Sequence, residues 1–185
     1  RDDVAHRLSF WRASWQGHVE PGSTARHVIV ATGTASGKSL SYLMPAFDAL
    51  YRGARREPLS ATAADTSSTG FHQRANVLYI SPARALSADQ LNAITAYHLP
   101  GLNAAPYAGA TPVHERRSVR EHANFVLTTP DKLNYGILGN HRQWANFLRG
   151  LRYVVLDEVH SYRGVFGAHI ANLLRRLRRV CALYR

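Results

Sequence analysis

Four apolar runs punctuate the chain: "HVIVAT" (27–32), "NVLYIS" (76–81), "NFVLTT" (124–129) and "RYVVLDE" (152–158), with a weaker one near 103–109. None alternates polar and apolar residues along its length, so each reads as a strand covered on both faces. Helical periodicity fills the gaps between them. Leu40, Leu43, Met44, Phe47 and Leu50 share one face after Ser39, with Pro45 an expected kink. Leu86, Leu91 and Ile94 follow Pro82, and Ile170, Leu173, Leu174 and Leu177 follow Phe166. Strands of this kind alternating with helices predict an α/β domain, a mostly parallel sheet flanked by helices. Residues 53–75 break the rhythm with small and polar side chains and are expected to form a long surface loop.

That order gives the segment after the first apolar run a definite chemistry. "TGTASGKS" is a small-residue turn, a lysine and a hydroxyl set between an expected strand and an expected helix. Thr32, Gly33, Thr34, Ala35, Ser36 and Gly37 let successive backbone N–H groups converge on phosphate oxygens, and the following helix adds its positive N-terminal end. Lys38 can reach the β- and γ-phosphates, and Ser39 can ligate Mg²⁺. Thr32 stands where the strict GxxxxGK[ST] pattern has glycine. The chain has only two lysines, Lys38 and Lys132, among its 23 Lys and Arg residues. Arginine is too broad and fork-shaped to slide beneath a triphosphate as a compact point charge, so this position favours lysine. The expected ligands are ATP and Mg²⁺.

"RYVVLDEVH" sets Asp157 and Glu158 at the end of another buried run. Ligands of a parallel sheet gather beyond the carboxyl ends of its strands, so the turn and the acidic pair are expected on one edge. There Asp157 can hold Mg²⁺, and Glu158 can orient and deprotonate an attacking water. The net charge of +11 favours a polyanionic partner. The lone cysteine, Cys181, excludes an internal disulfide or a thiolate zinc cluster, and the ten histidines lack HExxH spacing. No apolar run approaches the ~20 residues of a membrane helix, so no membrane partner is expected. The start "RDDVAHRLSF" has neither an initiator methionine nor a signal-peptide layout. A piece of a longer, soluble, cytoplasmic protein is therefore expected.

"TGTASGKS" and "DEVH" resemble motifs I and II of the superfamily 2 helicases. "SPARALSADQ" (81–90) resembles motif Ia, "TTPDKL" (128–133) resembles motif Ib, and "YAGATPVHERR" (107–117) is similar to the glycine-containing segment between them. Residues 152–179 look like the DEAH/DEVH-type subgroup that includes the bacterial mitomycin-repair helicase and its fungal relatives, which carry a zinc-binding C-terminal domain. The resemblance covers residues 26–185 and leaves 1–25 as an N-terminal extension.

The resemblance implies a first RecA-like, P-loop NTPase domain, incomplete at its C-terminus. It implies ATP hydrolysis coupled to 3′-to-5′ movement on single-stranded or forked DNA in repair, near the nucleoid, with a second RecA-like domain in the same full-length chain. His160 would relay the nucleotide state. Pro82, Arg84, Gly109, Thr129, Pro130 and Asp131 would face nucleic acid without reading bases. Gln16 is the one nearby candidate for an adenine contact. Arg116, Arg117 and Arg120 either widen a basic track or form a solvated helix face. Arg175, Arg176, Arg178 and Arg179 lie on a helix expected to dock on the sheet rather than bind DNA. Motifs III to VI do not occur, so the sheet is expected to lack the strand between those of motifs I and II. The isolated 185 residues are expected to hydrolyse ATP very slowly. An RNA-directed or duplex-DNA translocase, and a non-catalytic nucleic-acid-binding module, are the alternatives.

Overall fold

The computed structural model describes residues 28–30, 38–55 and 75–184. It divides into two units, residues 1–45 and 46–185. In the first, the described residues are 28–30 and the opening turns of helix α1 (Lys38–Arg55), which contains Pro45. Of the strand expected at 27–32, residues 27, 31 and 32 lie outside the described residues, and the described residues 28–30 are not in a strand. Ile29 is 90% exposed.

The second unit is built on the remaining runs. Strand β1 (Asn76–Ile80) leads to α2 (Arg84–Thr95), β2 (Ala104–Tyr107) to α3 (Val113–His122), β3 (Phe125–Thr128) to a helical stretch over 130–149, and β4 (Leu151–Leu156) to α4 (Gly164–Ala182). The strands lie in the order β2-β3-β1-β4, and every pair is parallel. The alternation of apolar runs and helices therefore predicts the sheet type correctly. Val77, Leu78, Tyr79 and Ile80 are all at most 1% exposed, as a central strand covered on both faces requires. The two outer strands differ. Pro106 is exposed on β2, where a missing N–H costs no ladder bond. Arg152, Tyr153 and Val154 are exposed on β4, an edge strand among the described residues and not the doubly covered strand its composition predicts.

One face of the sheet presents Leu78, Ile80 and Val126 to Val119 of α3, Trp144 and Leu148 of the helical stretch, and Ile170, Leu173 and Leu177 of α4. The stripe foreseen on α4 is thus buried, while Leu174 is only partly covered. On α2 only Ile94 of the foreseen stripe is fully buried, and Leu86 is exposed. In α1, Ala46 and Leu50 are buried, and Phe47 meets Tyr97 edge-on at 5.4 Å between ring centroids. Helix α1 runs to Arg55, so the expected loop begins later than residue 53, and 56–74 lie outside the described residues.

The helical stretch is the one large element that the sequence pattern did not suggest beyond its start. It passes from an α-turn (Pro130–Lys132) through a π-turn (Leu133–Ile137) and a 3₁₀ segment (Leu138–Trp144) to a final α-turn (Ala145–Arg149). Each change of helix type resets the rotation per residue, so its buried side chains follow no single period. Arg176 fastens α4 to this stretch, its Nη1 donating to Asn134 Oδ1 at 2.5 Å.

Candidate functional site: the carboxyl rim of the sheet

Because all four strands are parallel, the segments after them meet at one rim: Ser81–Arg84 after β1, Gly109 after β2, Thr129–Lys132 after β3 and Asp157–His160 after β4. The β4 end is acidic and tightly held. The Asp157 N–H donates to the Ile80 carbonyl at 2.9 Å, extending the ladder one residue past Leu156. Asp157 Oδ1 accepts the Glu158 N–H at 2.8 Å, and Oδ2 accepts the Tyr79 hydroxyl. Glu158 has φ +51°, a left-handed conformation that a non-glycine residue adopts at a cost of order 1–3 kcal/mol. His160 Nδ1 lies 3.1 Å from Glu158 Oε2, a hydrogen bond when that nitrogen carries the proton.

After Glu158 the chain closes a 3₁₀ turn (Val159–Ser161) and enters α4 through two glycines. Gly164 has φ +57°. A β-carbon on Gly167 would stand 2.6 Å from the Tyr162 carbonyl oxygen, so only glycine lets the helix pack this close to the turn. The Tyr162 hydroxyl is buried without a hydrogen-bond partner among the described residues. Burial first, then the Asp157 and Glu158 carboxylates, push its pKa up to about 12. It therefore stays protonated near neutral pH, a donor still to be used beside the acidic pair.

The residues at the β4 end suit a divalent cation of the hard, oxygen-seeking kind. Among the described residues no group of three or more His, Cys, Asp or Glu side chains forms a metal cage. Mg²⁺ does not require one, because it binds through one or two carboxylates together with water and substrate phosphates. Each Asp157 oxygen takes one hydrogen bond and keeps a further lone pair, and Glu158 adds a second carboxylate.

The rim at β1, β2 and β3 is basic. Ser81 is fully buried and its hydroxyl donates to the Ala83 carbonyl at 2.9 Å. Its single proton is then spent, so the 2.6 Å contact with Ser87 runs from Ser87 to Ser81. These bonds fix the turn that carries Pro82 and sets exposed Arg84 at the start of α2. Arg84 reaches Gly109: its Nη1 is 4.0 Å from where a Gly109 β-carbon would sit. Thr129 precedes the helical stretch and Pro130 is buried as its first residue, where its missing N–H costs nothing. Asp131 is exposed beside it. Arg116 Nε donates to the Thr111 carbonyl at 3.0 Å, while Arg117 pairs with Glu121 on an exposed helix face.

Lys132, for which the sequence offered no argument, lies with its Nζ 4.9 Å from the centre of the Tyr107 ring. Burial, and then Arg116, lower its pKa. Gly136 makes room for this, since a β-carbon there would meet Lys132 Cε at 2.9 Å. Tyr79 was the other omission. Its signal was a polar hydroxyl inside an apolar strand, which needs a partner.

The structure groups Arg84 with Gly109, and Asp157 with Glu158 and His160. Ser39 is half-buried in the first turn of α1. The side chain of Lys38, the turn residues Thr32, Gly33, Thr34, Ala35, Ser36 and Gly37, and Gln16 lie outside the described residues.

Comparison with known proteins places these features in a family. The chain is 36% identical over 170 residues to the uncharacterized ATP-dependent helicase YprA of Bacillus subtilis, covering 90% of this chain and 20% of that protein. It is 38% identical over 160 residues to the ATP-dependent helicase HRQ1 of Saccharomyces cerevisiae, covering 84% of this chain and 13% of that protein. The chain thus spans a fifth or less of these two relatives. A crystal structure of the DUF1998 helicase MrfA bound to DNA and AMPPNP superposes with a TM-score of 0.69 and 35% identity, over 83% of this chain and 19% of that one. These relatives fit the mitomycin-repair subgroup that the region around "DEVH" resembles. The profile of the DEAD/DEAH box helicases matches residues 16–184. The chain belongs to the DEAD/DEAH box helicase family, and its parallel sheet with flanking helices is that of a RecA-like helicase domain.

Proposed function

We propose that this domain binds Mg²⁺–ATP and hydrolyses it to drive 3′-to-5′ movement along single-stranded DNA, as part of a repair helicase working on single-stranded or forked DNA near the nucleoid. One observation carries the proposal: a single rim bears a rigidly held carboxylate pair at β4, and the cations Arg84, beside Gly109, and Lys132, over the Tyr107 ring, at β1–β3. The subgroup resemblance supports the direction of movement, and the DNA in the similar MrfA structure supports the substrate.

In this account Lys38, Ser39 and the backbone of residues 32–37 bind the phosphates, with Asp157 and Ser39 as the residues for the metal. A bound Mg²⁺ supplies charge neutralisation on the β- and γ-phosphates. Glu158, held by its left-handed backbone and paired with His160, orients the attacking water and takes its proton. His160 passes the nucleotide state onward, and Gln16 contacts adenine. Arg84, with Pro82, Gly109, Thr129, Pro130 and Asp131, grips the sugar–phosphate backbone. A second RecA-like domain in the full-length chain supplies the arginine that completes the site.

Substituting Lys38→Ala in the full-length protein tests the site: turnover is lost while DNA binding is largely spared. Surviving turnover would refute the assignment. Stimulation by single-stranded DNA, duplex DNA and RNA, compared side by side, tests the substrate. A preference for RNA or for duplex DNA would overturn that part.

A further inference from the structure

We infer that Tyr79 is a positioning residue for the Asp157 carboxylate. The inference rests on the reading above in which Asp157 serves the metal. In the parallel register Tyr79 lies opposite Val155, so Asp157, two residues further on and one past the end of β4, is its diagonal neighbour on the same face. A phenol is long enough to span that diagonal, and the Tyr79 hydroxyl donates to Asp157 Oδ2.

The Glu158 N–H holds Oδ1 at 2.8 Å. With one donor on each oxygen, the carboxylate plane cannot turn without breaking a bond, and the second lone pair of each oxygen is left in a fixed direction. Tyr79 is itself 1% exposed in the central strand, which anchors the phenol. Packing alone would be served by phenylalanine, with no buried hydroxyl to satisfy. Outer partners of this kind set the orientation of metal-binding carboxylates, and their loss costs about 10–100-fold in metal affinity or activity.

The test uses the full-length protein and the equilibrium binding of a fluorescent ATP analogue titrated with Mg²⁺. Tyr79→Phe is expected to raise the half-saturating Mg²⁺ concentration by about tenfold. Binding of the analogue without Mg²⁺, and of single-stranded DNA without nucleotide, stays at the wild-type level. Asp157→Asn raises the Mg²⁺ requirement further, and adding Tyr79→Phe to it changes nothing more, because the phenol acts through that carboxylate. A Tyr79→Phe curve that overlays wild type while Asp157→Asn shifts it refutes the role of Tyr79 alone. Fully additive effects of the two substitutions refute it equally. If Asp157→Asn leaves the Mg²⁺ dependence unchanged, the metal assignment falls and the Tyr79 inference with it.

Discussion

The two parts of the sheet's carboxyl rim are built on opposite plans. At β4 the acidic groups are constrained from several directions: Asp157 by Tyr79 and by the Glu158 N–H, Glu158 by a left-handed backbone, and the next turn by the close approach of Gly167 to Tyr162. At β1–β3 the fixed parts are backbone and small side chains, such as the Ser81–Ser87 pair, while the exposed Arg84 and the partly exposed Lys132 carry the charge. Proton abstraction from one water demands a single geometry. A grip on a phosphate backbone demands charge and reach but no fixed partner, because every step along a strand presents the same groups.

That contrast yields predictions of decreasing size. Glu158→Gln should lower ATP turnover by about 10²–10⁴-fold while nucleotide affinity holds, measured as phosphate release beside an equilibrium titration. A loss of only a few-fold would mean that the acidic end is not where water is activated. Gly167→Ala should cost about 1–3 kcal/mol of stability through forced repacking against Tyr162, read by thermal or denaturant unfolding. An unchanged midpoint would show that the acidic turn is less constrained than its geometry implies. Arg84→Ala and Lys132→Ala should each weaken single-stranded DNA binding alike across sequences. Each should also reduce the slope of log affinity against log salt by about 0.7. A sequence-dependent loss would turn the basic end into a base reader. Arg117→Ala, on the exposed pair with Glu121, should change neither DNA binding nor the melting temperature measurably.

Much of this division was legible in the order of residue types. Continuous apolar runs gave a parallel sheet, and a parallel sheet gathers its strand ends on one rim, so Asp157 and Glu158 could be placed there before any coordinates, while Arg84, Gly109 and Thr129 were named only through the family resemblance. The limits have physical causes. An apolar composition does not say whether a strand finds a second neighbour, and among the described residues β4 is an exposed edge. Apolar periodicity assumes one helix type, and the α–π–3₁₀ sequence over 130–149 has no constant period, which hid Trp144 from the predicted core. Tyr79 and Lys132 were missed because each takes its role from a side chain distant in sequence, Asp157 for one and Tyr107 for the other. Arg176 was grouped with Arg175, Arg178 and Arg179 on the docking helix without a role of its own, and it is used internally, on Asn134.

The most direct test of the account is an experimental structure of the full-length protein with Mg²⁺ and a non-hydrolysable ATP analogue. The account predicts one metal ion flanked by Ser39 and Asp157, with each contact either direct at about 2.0–2.1 Å or through a single metal-bound water. It also predicts the γ-phosphate against Lys38. A triphosphate bound away from Asp157, or a metal held by only one of Ser39 and Asp157, would contradict it.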